Sequence, residues 1–535
     1  MRRLNLLPKA PAYDDLYPHG GPGIILGKLE EAEDVPLGIM LRGNANLLVG
    51  GRSGSGKTSG LRLLVRGLLE HNRCSPSDFV SFIYADRKGG DCADIPGLCA
   101  DVLHLHALET VKEGLNAPHG VPPTVWFQAV SSCFAARAGL IASSVCLANM
   151  LQWLFAVMNP HTETEPVRWP TFETLLELSK AAPLEAFATK PDYAKALQQR
   201  LEGIVQAAYG TFHNLGGIDI ARDLIAKRKS AVVDICGFGP SWVRSVFLDI
   251  LQMQVLLGAQ YRHERDDKVR FYLIMDEADQ DTDRKTEESF PDLSPLSLYI
   301  KQGREFGLAA ALGVSAIGPT ARMILTNISH YLFFSMADAE SLHEARNTLL
   351  LRRQGAEAIL AALEPGECIY RGPGPWADPM LVRMDEIAPS RVTRPEKYDT
   401  HPFVPFVPLM EIPGAKEAIE RLRAEHTHNK LRQGKQKAPE LSENPSKLLR
   451  LRTLRGNTPV ARLWDQLGRP SASAQAAARA ELGEAKLAEF EEKRVGSRNM
   501  LFMDPTEAGW AYPSTTSSSS PDARRRPSLC WTRSI

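Results

Sequence analysis

Short, strongly apolar runs alternate with helical patterns along the first 390 residues of the chain. The runs have the length and composition of buried parallel strands, because neither face of such a strand meets water. Helical patterns separate most of them, which predicts an α/β fold with a mainly parallel sheet and right-handed crossovers. The predicted strands are residues 46–50, 79–85, 231–235, 271–275, 307–314 and 331–335.

Residues 24–41 predict a β-hairpin in front of the first parallel strand. Two apolar runs, Gly-Ile-Ile-Leu and Pro-Leu-Gly-Ile-Met-Leu, flank the acidic turn at residues 30–34. The interval 111–229 has no comparable strand pattern, whereas its residues 171–181 and 193–209 have helical periodicity. We therefore expect an all-helical insertion at about residues 111–229.

The composition changes after Arg391. Residues 414–455 contain eleven Lys or Arg against five Asp or Glu, which predicts a basic linker. A helix–helix–hairpin pattern follows, and the last residues are rich in serine, which is typical of a disordered tail. The expected divisions are an N-terminal segment with the hairpin, an α/β domain, a linker, a small C-terminal domain and a tail, at residues 1–44, 45–390, 391–455, 456–512 and 513–535.

Bulk composition excludes some classes of protein. The 535 residues are too many for one hydrophobic core, so two or more domains are expected. Lys and Arg number 63 and Asp and Glu also 63, so any basic surface must be local. The eight cysteines are scattered without a CxxC pair, which argues against a zinc site and fits a reducing, cytoplasmic location.

One stretch, residues 138–158, is uncharged and long enough to span a bilayer. It contains several polar side chains, and Trp153 lies inside the run rather than at an interface. We therefore favour a buried helix pair over a membrane span, and expect no stable membrane anchor in this chain.

The segment Gly51-Arg-Ser-Gly-Ser-Gly-Lys57-Thr58 matches the phosphate-binding pattern GxxxxGK[ST]. It follows a predicted strand and precedes an apolar-periodic helix at residues 61–69, which is the context that this chemistry requires. Glycines let consecutive backbone N–H groups turn towards phosphates, and the helix N-terminus adds partial positive charge. A glycine turn without a ligand is the alternative interpretation, but the flanking strand and helix disfavour it.

The run Phe-Tyr-Leu-Ile-Met at residues 271–275 ends in Asp276 and Glu277. A strand of this kind delivers its acidic pair to the edge of the sheet where the phosphate loop also lies. We expect Asp276 to hold magnesium through water, and Glu277 to orient or deprotonate the attacking water. A strand that ends in a solvated acidic turn is the alternative.

An ordered series of segments resembles the FtsK–HerA superfamily of hexameric DNA-pumping ATPases, which includes the coupling ATPases of conjugation. The resemblance covers roughly residues 24–383 and implies a RecA-like P-loop fold. Besides the phosphate loop, the segments that carry it are Ile25-Leu26-Gly27, Asp86-Arg87-Lys88-Gly89-Gly90-Asp91, Gly303-Arg304-Glu305-Phe306-Gly307-Leu308, Thr326-Asn327-Ile328 and Leu363-Glu-Pro-Gly-Glu367-Cys-Ile-Tyr.

The motifs and the resemblance together assign the site residues. By the resemblance, neighbouring subunits complete one another's sites and Arg304 acts in trans, although Arg304 is equally well explained as a surface residue. The predicted catalytic residues are Glu277, Lys57 and Arg304, and the predicted magnesium ligands are Thr58 and Asp276. The residues predicted to bind ATP are Gly51, Ser53, Gly54, Ser55, Gly56, Lys57, Thr58 and Ser59.

Two departures from the family bear on function. The family's Ala-Thr-Gln strand ending is replaced by Gly313-Val314-Ser315, so a hydroxyl stands where an amide reads the γ-phosphate, and hydrolysis is slow unless another residue supplies that contact. About two dozen residues precede the hairpin, too few for the family's N-terminal β-barrel or membrane helices.

The C-terminal pattern resembles a winged helix-turn-helix domain, with helices at 458–468 and 472–486 and strands at 487–494 and 500–503. Its recognition helix is rich in alanine and has only Arg479 before Lys486, so direct base reading is poorly supported. Lys493, Arg494 and Arg498 on the wing suit phosphate contacts instead. A winged helix that binds protein is the alternative.

The sequence thus leads to three functional hypotheses. The first is an ATP-dependent DNA translocase that works as a homohexameric ring, with DNA as substrate and a nuclease or a conjugation or defence protein as further partner. The second is a nucleotide-gated DNA-binding regulator or scaffold with little turnover. The third is a coupling ATPase of conjugation or type IV secretion.

Overall fold

The strongly apolar runs of the sequence form strands of one eleven-stranded sheet, and a separate two-stranded sheet lies near the C-terminus. The computed structural model describes residues 7–18, 21–107, 115–160, 167–187, 191–207, 220–262, 265–290, 293–353, 355–374, 376, 378–388, 390, 398–399, 407–435, 460–467, 470–484, 488–495 and 498–505. The strands are β1 (Ile24–Leu29), β2 (Ala32–Ile39), β3 (Leu47–Gly50), β4 (Ser81–Asp86), β5 (Val102–His106), β6 (Ser230–Asp234), β7 (Asp266–Met275), β8 (Phe306–Val314), β9 (His330–Phe333), β10 (Glu367–Arg371), β11 (Met380–Met384), β12 (Ala488–Val495) and β13 (Arg498–Pro505).

Helices connect most of these strands. They are α1 (Tyr13–Leu16), α2 (Lys57–Cys74), α3 (Ile95–Leu98), α4 (Pro123–Arg137), α5 (Ser144–Met158), α6 (Phe172–Ala181), α7 (Pro191–Ala207), α8 (Ser241–Tyr261), α9 (Asp279–Thr282), α10 (Arg284–Glu288), α11 (Pro295–Gln302), α12 (Arg322–Asn327), α13 (Ala339–Thr348), α14 (Glu357–Ala361), α15 (Ala415–Lys435), α16 (Val460–Gln466) and α17 (Ala472–Glu484). Single turns of 3₁₀-helix occupy Pro76–Asp78, Ile141–Ser143, Leu184–Ala186, Gly303–Glu305 and Leu409–Glu411, and a π-helix occupies Ile220–Ile225.

The large sheet has the strand order β2-β1-β11-β10-β9-β3-β8-β7-β4-β6-β5. The strands from β9 to β5 in this order are mutually parallel, and the four at the other side are antiparallel. This confirms the predicted α/β fold with a mainly parallel sheet. Because the parallel strands share one direction, the carboxyl ends of β3, β4, β7 and β8 meet at one edge, where the phosphate loop begins.

Both faces of the sheet are covered, because side chains alternate between two cores. On β3, Leu48 enters one hydrophobic core while Leu47 and Val49 enter the other. On β7, Leu273 enters the same core as Leu48 and Ile274 enters the other core, and both side chains are fully buried. Burial on both faces explains why these strands read as continuous apolar runs rather than as alternating patterns.

Two strands of the large sheet were not predicted. The edge strand β5 has the sequence Val-Leu-His-Leu-His, in which two histidines conceal the apolar run. The other, β11, pairs with β10 and also with β1 of the N-terminal hairpin. The hairpin therefore belongs to the same sheet, and the expected division at residues 44 and 45 does not separate two bodies.

The expected insertion contains helices α4 to α7, and within its described residues (115–160, 167–187, 191–207 and 220–229) no strand occurs. Residues 138–158, expected as a helix pair, instead form a 3₁₀ turn and one helix, α5. The inner face of α5, with Leu147, Leu151 and Leu154, lies in the hydrophobic core. By length and composition, two described helices could cross a membrane, Ile141–Met158 with 39% of it buried and Ser241–Tyr261 with 89% buried.

The chain divides into two compact units, Met1–Ala424 and Glu425–Ile535. The division falls inside the stretch predicted as a basic linker, part of which is helical as α15. In the second unit, α16 and α17 precede the hairpin β12–β13, which is the predicted order of elements. The winged-helix assignment stays a prediction. The side chains of Lys493, Arg494 and Arg498 and the tail 513–535 lie outside the described residues.

Candidate nucleotide site

The phosphate loop connects the end of β3 at Gly50 to the start of α2 at Lys57. Its backbone is anchored on both neighbouring strands. The N–H of Gly51 donates to the Val314 carbonyl at 3.2 Å, and the N–H of Arg52 donates to the Ser335 carbonyl at 2.8 Å. The turn into the helix is at Gly56, whose φ of +116° is strained for a residue with a side chain. The loop is therefore held open at the amino end of a helix, where backbone N–H groups are available to an anion.

Lys57 is the first residue of α2 and is buried. Its Nζ donates to the carbonyl oxygen of Arg52 at 3.1 Å, so the ammonium lies against its own loop. Burial lowers the pKa of Lys57, and the charges of Asp276 and Asp279 only partly oppose that shift. A buried ammonium with acidic neighbours is a suitable partner for phosphate oxygens.

Asp276 follows β7 and is 2% exposed. Its Oδ2 accepts a hydrogen bond from the Thr58 hydroxyl at 2.5 Å, so the two predicted metal ligands are in contact. Glu277 follows in the left-handed region with φ +52°, and its N–H donates to Asp276 Oδ1 at 2.9 Å. Non-glycine residues rarely adopt this conformation, and it directs the two carboxylates to different positions.

Gly313, on β8, provides the space that Asp276 occupies. A Cβ at residue 313 would lie 2.5 Å from Asp276 Oδ1 and 3.1 Å from Leu61 Cδ1. The carbonyl of Gly313 also accepts the N–H of Ala278 at 2.7 Å, which fixes the chain just after the acidic pair. This glycine was noted in the sequence as part of a departure from the family pattern, and its steric role was missed.

Lys88 brings a second cation to the site. It lies in the loop after β4, and its Nζ is 2.9 Å from Glu277 Oε1. Burial lowers the pKa of Lys88, but the hydrogen bond to Glu277 and the charge of Asp91 outweigh it, so the net shift is upward. The sequence pointed to this loop through its resemblance to the family's Asp-Pro-Lys-Gly segment, but Lys88 was not among the predicted site residues.

The carboxylate of Asp86 organises that loop. It accepts backbone N–H groups from Lys88 at 3.1 Å, Gly89 at 2.8 Å and Cys92 at 3.3 Å. Because Asp86 is buried at the end of β4, the loop is tied to the sheet and Lys88 is directed towards Glu277.

Asp279 has the corresponding role on the opposite side of the site. Its Oδ1 accepts the backbone N–H groups of Ser315 at 2.7 Å and Ala316 at 3.1 Å. Ser315 is exposed and lines the pocket. Sequence reasoning did not find Asp279.

These groups surround a pocket of about 220 Å³. Eight of the lining residues were predicted as site residues: Ser53, Gly54, Gly56, Lys57, Thr58, Ser59, Asp276 and Glu277. The other two, Lys88 and Ser315, were not predicted as site residues. Two predicted binding residues do not line it. Ser55 is buried, and its hydroxyl has no hydrogen-bond partner among the described residues. A Cβ at Gly51 would be 2.7 Å from Ser55 Oγ, so Gly51 adjoins that buried hydroxyl.

The residues present fit a magnesium–triphosphate. Mg²⁺ prefers oxygen ligands, typically one or two from the protein with the rest from phosphate and water. The Thr58 hydroxyl and the buried Asp276 carboxylate supply such oxygens side by side at the edge of the glycine-lined loop.

Arg304 is not brought to this pocket. It is exposed on the turn Gly303–Glu305, immediately before β8 begins. The end of β8 is beside the phosphate loop, where Val314 pairs with Gly50. Because β8 has nine residues, its two ends lie about 30 Å apart. Within one chain, Arg304 and Lys57 therefore lie at opposite edges of the sheet.

Comparisons with known proteins bear on the fold. No sequence model of a protein family matches the chain, and no curated protein sequence matches it. Among solved structures, the unbound bacterial conjugative coupling protein TrwBΔN70 matches at a TM-score of 0.51 and 13% identity, over 71% of this chain and 93% of that one. The plasmid coupling protein TrwB in complex with a non-hydrolysable ATP analogue matches at 0.51 and 14%, over 71% and 94%.

VirB4 of Thermoanaerobacter pseudethanolicus matches at a TM-score of 0.51 and 16% identity, over 69% of this chain and 98% of VirB4. At such low identity the similarity establishes a shared fold. The resemblance predicted from the sequence motifs is therefore confirmed at the level of the fold.

Proposed function

We propose that this protein is a magnesium-dependent ATPase that uses hydrolysis to move DNA. One observation carries the ATPase part of the proposal. Lys57, Thr58, Asp276 and Glu277, predicted from two separate motifs, line one small pocket at the carboxyl edge of the sheet. A site of this composition matches the minimal chemistry of P-loop phosphoryl transfer. The solved complex of TrwB with an ATP analogue is consistent with ATP as the nucleotide.

Each residue has a defined role in the proposal. Lys57 and the loop N–H groups would bind the β- and γ-phosphates, and Thr58 and Asp276 would hold magnesium, which would supply charge neutralisation at the phosphate oxygens. Glu277 orients the attacking water and accepts its proton. Lys88, 2.9 Å from Glu277, positions that carboxylate.

The choice of DNA as the substrate rests on two lines of support. The fold is shared with TrwB, which is described as a plasmid coupling protein. The chain also has an excess of six positive charges at residues 414–455, from eleven basic and five acidic residues, and such segments favour phosphate backbones. The C-terminal unit is proposed to anchor or load the DNA.

We further propose a cytoplasmic homohexameric ring in which Arg304 of one subunit reaches the nucleotide of the next. A ring with head-to-tail contacts brings opposite edges of neighbouring subunits together. The position of Arg304 at the edge away from its own phosphate loop is compatible with that arrangement. A nuclease or a conjugation or defence protein remains a proposed partner.

The test is steady-state ATP hydrolysis with and without duplex or single-stranded DNA, at several salt concentrations. We expect DNA to accelerate magnesium-dependent hydrolysis, and Lys57→Ala or Glu277→Gln to remove it. Glu277→Gln should still bind a non-hydrolysable analogue, because the phosphate loop is intact. Equal rates with and without DNA at every salt concentration would reject the motor while leaving the ATPase.

A second candidate is a nucleotide-gated DNA-binding regulator or scaffold with little turnover. The exposed Ser315 favours it, because a short hydroxyl stands at the pocket where the family's amide reads the γ-phosphate. Tight analogue binding with negligible hydrolysis, even with DNA and in Ser315→Gln, would support the regulator over the motor.

A third candidate is a coupling ATPase of conjugation or type IV secretion. The fold similarity to both TrwB and VirB4 favours it. Co-fractionation of the native protein with membranes would support this role, and recovery in the soluble fraction alone would count against it.

A further inference from the structure

Four buried charged side chains form a network behind the candidate site. Arg87 pairs with Asp281, Asp281 pairs with Arg137 at 3.2 Å, and Arg137 pairs with Asp249 at 2.7 Å. Their side chains are 4%, 0%, 7% and 0% exposed in the order Arg87, Asp281, Arg137 and Asp249. The network joins the loop after β4, helix α9, the end of α4 and the middle of α8.

Arg137 is the centre of this network. Its Nε and Nη2 bind the two Asp249 oxygens at 2.7 and 2.8 Å, and Nη1 is 3.3 Å from Thr286 Oγ1. The guanidinium also lies over the Phe290 ring at 5.7 Å. Burial alone would lower the pKa of Arg137, but the charges of Asp249 and Asp281 outweigh it and raise the pKa well above its ordinary value.

Stability alone is a poor explanation for such a network. Removing four charges from water is costly, and apolar residues of similar volume commonly replace a buried ion pair without loss of stability. Bidentate pairs do fix geometry, because a planar guanidinium holds both carboxylate oxygens in one orientation. The network is therefore suited to setting the relative positions of the elements that it connects.

Those elements include both sides of the pocket. Arg87 precedes Lys88, which contacts Glu277. Asp281 lies on α9, two residues after Asp279, whose carboxylate holds the backbone of Ser315. Arg137 is the last residue of α4, the first helix of the insertion. The Arg137–Asp281 contact therefore links the end of α4 directly to α9, the helix that carries Asp279.

We propose that Arg137 is a positioning residue that couples the helical insertion to the nucleotide site through Asp281. This inference rests on the proposed ATPase function. Nucleotide binding shifts the insertion, and a ligand that engages the insertion changes the position of Glu277, since coupling between two sites is reciprocal.

The test uses the full chain carrying Arg137→Met and Asp249→Leu together. This pair of substitutions removes one positive and one negative charge, leaves the Arg87–Asp281 pair intact, and keeps similar volumes in the core. Hydrogen exchange is measured with and without a non-hydrolysable ATP analogue and magnesium. The matched control is Arg200→Met, which removes another contact between the insertion and α8, the stacking of Arg200 over Trp242 at 6.0 Å.

In the wild type we expect the analogue to protect residues 51–58 and also to change exchange in α4. In the double variant the analogue should still protect residues 51–58 but should no longer change exchange in α4. Relative to the wild type, we expect kcat to be lower by about tenfold and KM for ATP to stay within about twofold. Arg200→Met should behave as the wild type in both measurements. Arg137→Lys keeps the positive charge but cannot make the bidentate contact with Asp249. Its exchange change in α4 and its kcat should lie between those of the wild type and the double variant.

Three results would overturn the inference. Unchanged exchange in α4 of the wild type, despite protection at residues 51–58, would reject the coupling and leave the ATPase intact. The same α4 change in the double variant would reject Arg137 as the link. An absence of protection at residues 51–58 in the wild type would reject nucleotide binding itself, and the coupling with it.

Discussion

At the scale of single residues, the space beside Gly313 decides where the acidic pair lies. Asp276 occupies the volume that a side chain at residue 313 would fill, 2.5 Å from the position of a Cβ. Neither the backbone of β8 nor that of the segment after β7 can move easily, because the two strands are paired in parallel through Met275 and Leu312. The carboxylate must therefore give way if this glycine is replaced.

We accordingly predict that Gly313→Ala lowers kcat for ATP hydrolysis by about a hundredfold, since displacements of about 1 Å at a catalytic site have effects of that size. Steady-state kinetics beside a thermal melt checks this prediction. The control is Gly90→Ala, because a Cβ at Gly90 meets no atom within 4 Å. A kcat for Gly313→Ala within twofold of the control would contradict the steric role.

Asp91 gives a residue-scale prediction on pH. Burial, together with the charge of Asp86, raises the pKa of Asp91 to about 6, against its ordinary 3.8. Well below pH 3.8 the carboxyl is protonated in both folded and unfolded chains, so it has no effect on stability. As pH rises through 3.8 towards 6 the unfolded chain ionises first, and Asp91 therefore destabilises the folded protein, with the full effect above pH 6.

Asp91→Asn should remove that penalty. We expect the free energy of unfolding at pH 7.5 to rise by about 1 kcal/mol, discounted because the side chain is partly exposed. At about pH 3, below both pKa values, the variant and the wild type should unfold alike. Denaturant titrations at the two pH values measure the difference, and an equal gain at both would show that the effect is not ionisation.

At the scale of elements, the hairpin β1–β2 and the helix α2 stabilise each other. A Cβ at Gly67 would lie 2.2 Å from Ile24 Cγ2, so the helix approaches the hairpin through a residue without a side chain. The hairpin in turn extends the sheet through β11. The helix that begins at the phosphate loop therefore packs closely against the hairpin at Gly67.

Gly67→Ala should therefore destabilise the first unit by about 1–3 kcal/mol through overpacking, although alanine favours helix. Gly60→Ala is the matched control in the same helix, because its nearest neighbour would be at an ordinary 3.4 Å. We expect the control to be neutral or slightly stabilising in denaturant unfolding. Equal stability of the two variants would mean that the contact with Ile24 adjusts freely.

Most strands of the large sheet were predictable because both of their faces are buried, which makes their sequences continuously apolar. The runs at residues 46–50, 271–275 and 307–314 are apolar on both faces, and each forms a strand at that place. β5 was missed because His104 and His106 break its apolar run; both are buried, beside Tyr398 at ring distances of 5.1 and 4.9 Å. Local composition does not reveal such a tertiary partner about 290 residues away.

At the scale of the whole molecule, the separation of Arg304 from Lys57 leads to a prediction about assembly. If Arg304 acts on the neighbouring subunit, Lys57→Ala and Arg304→Ala each lower hydrolysis by at least about a hundredfold. Mixing equal amounts of the two variants should restore about one quarter of the wild-type rate, because one quarter of the interfaces then combine both intact residues.

The control for this experiment is Lys301→Ala, which removes another exposed cation from the neighbouring helix. It should hydrolyse ATP as the wild type does. Mass measurement of the mixed sample establishes whether rings are present. A mixture of assembled rings that stays inactive would contradict a trans role for Arg304.

The sequence by itself determined the phosphate loop and the acidic strand end, because both depend on short segments whose spacing and flanking periodicity are local. It also determined that helices alternate with most of the strands of a mainly parallel sheet. From these followed Lys57, Thr58, Asp276 and Glu277, which the structure brings to one pocket.

Only the tertiary structure decided what surrounds those four residues. Lys88, in the loop after β4, contacts Glu277 although the two residues are nearly 200 positions apart. Asp279 accepts the backbone N–H of Ser315, which follows it by 36 residues. The buried network of Arg137 and the fit of Asp276 beside Gly313 depend in the same way on which elements pack together. Charge pairs and steric gaps between distant segments leave no periodic pattern along the chain, so they became visible only when the sheet and its helices were in place.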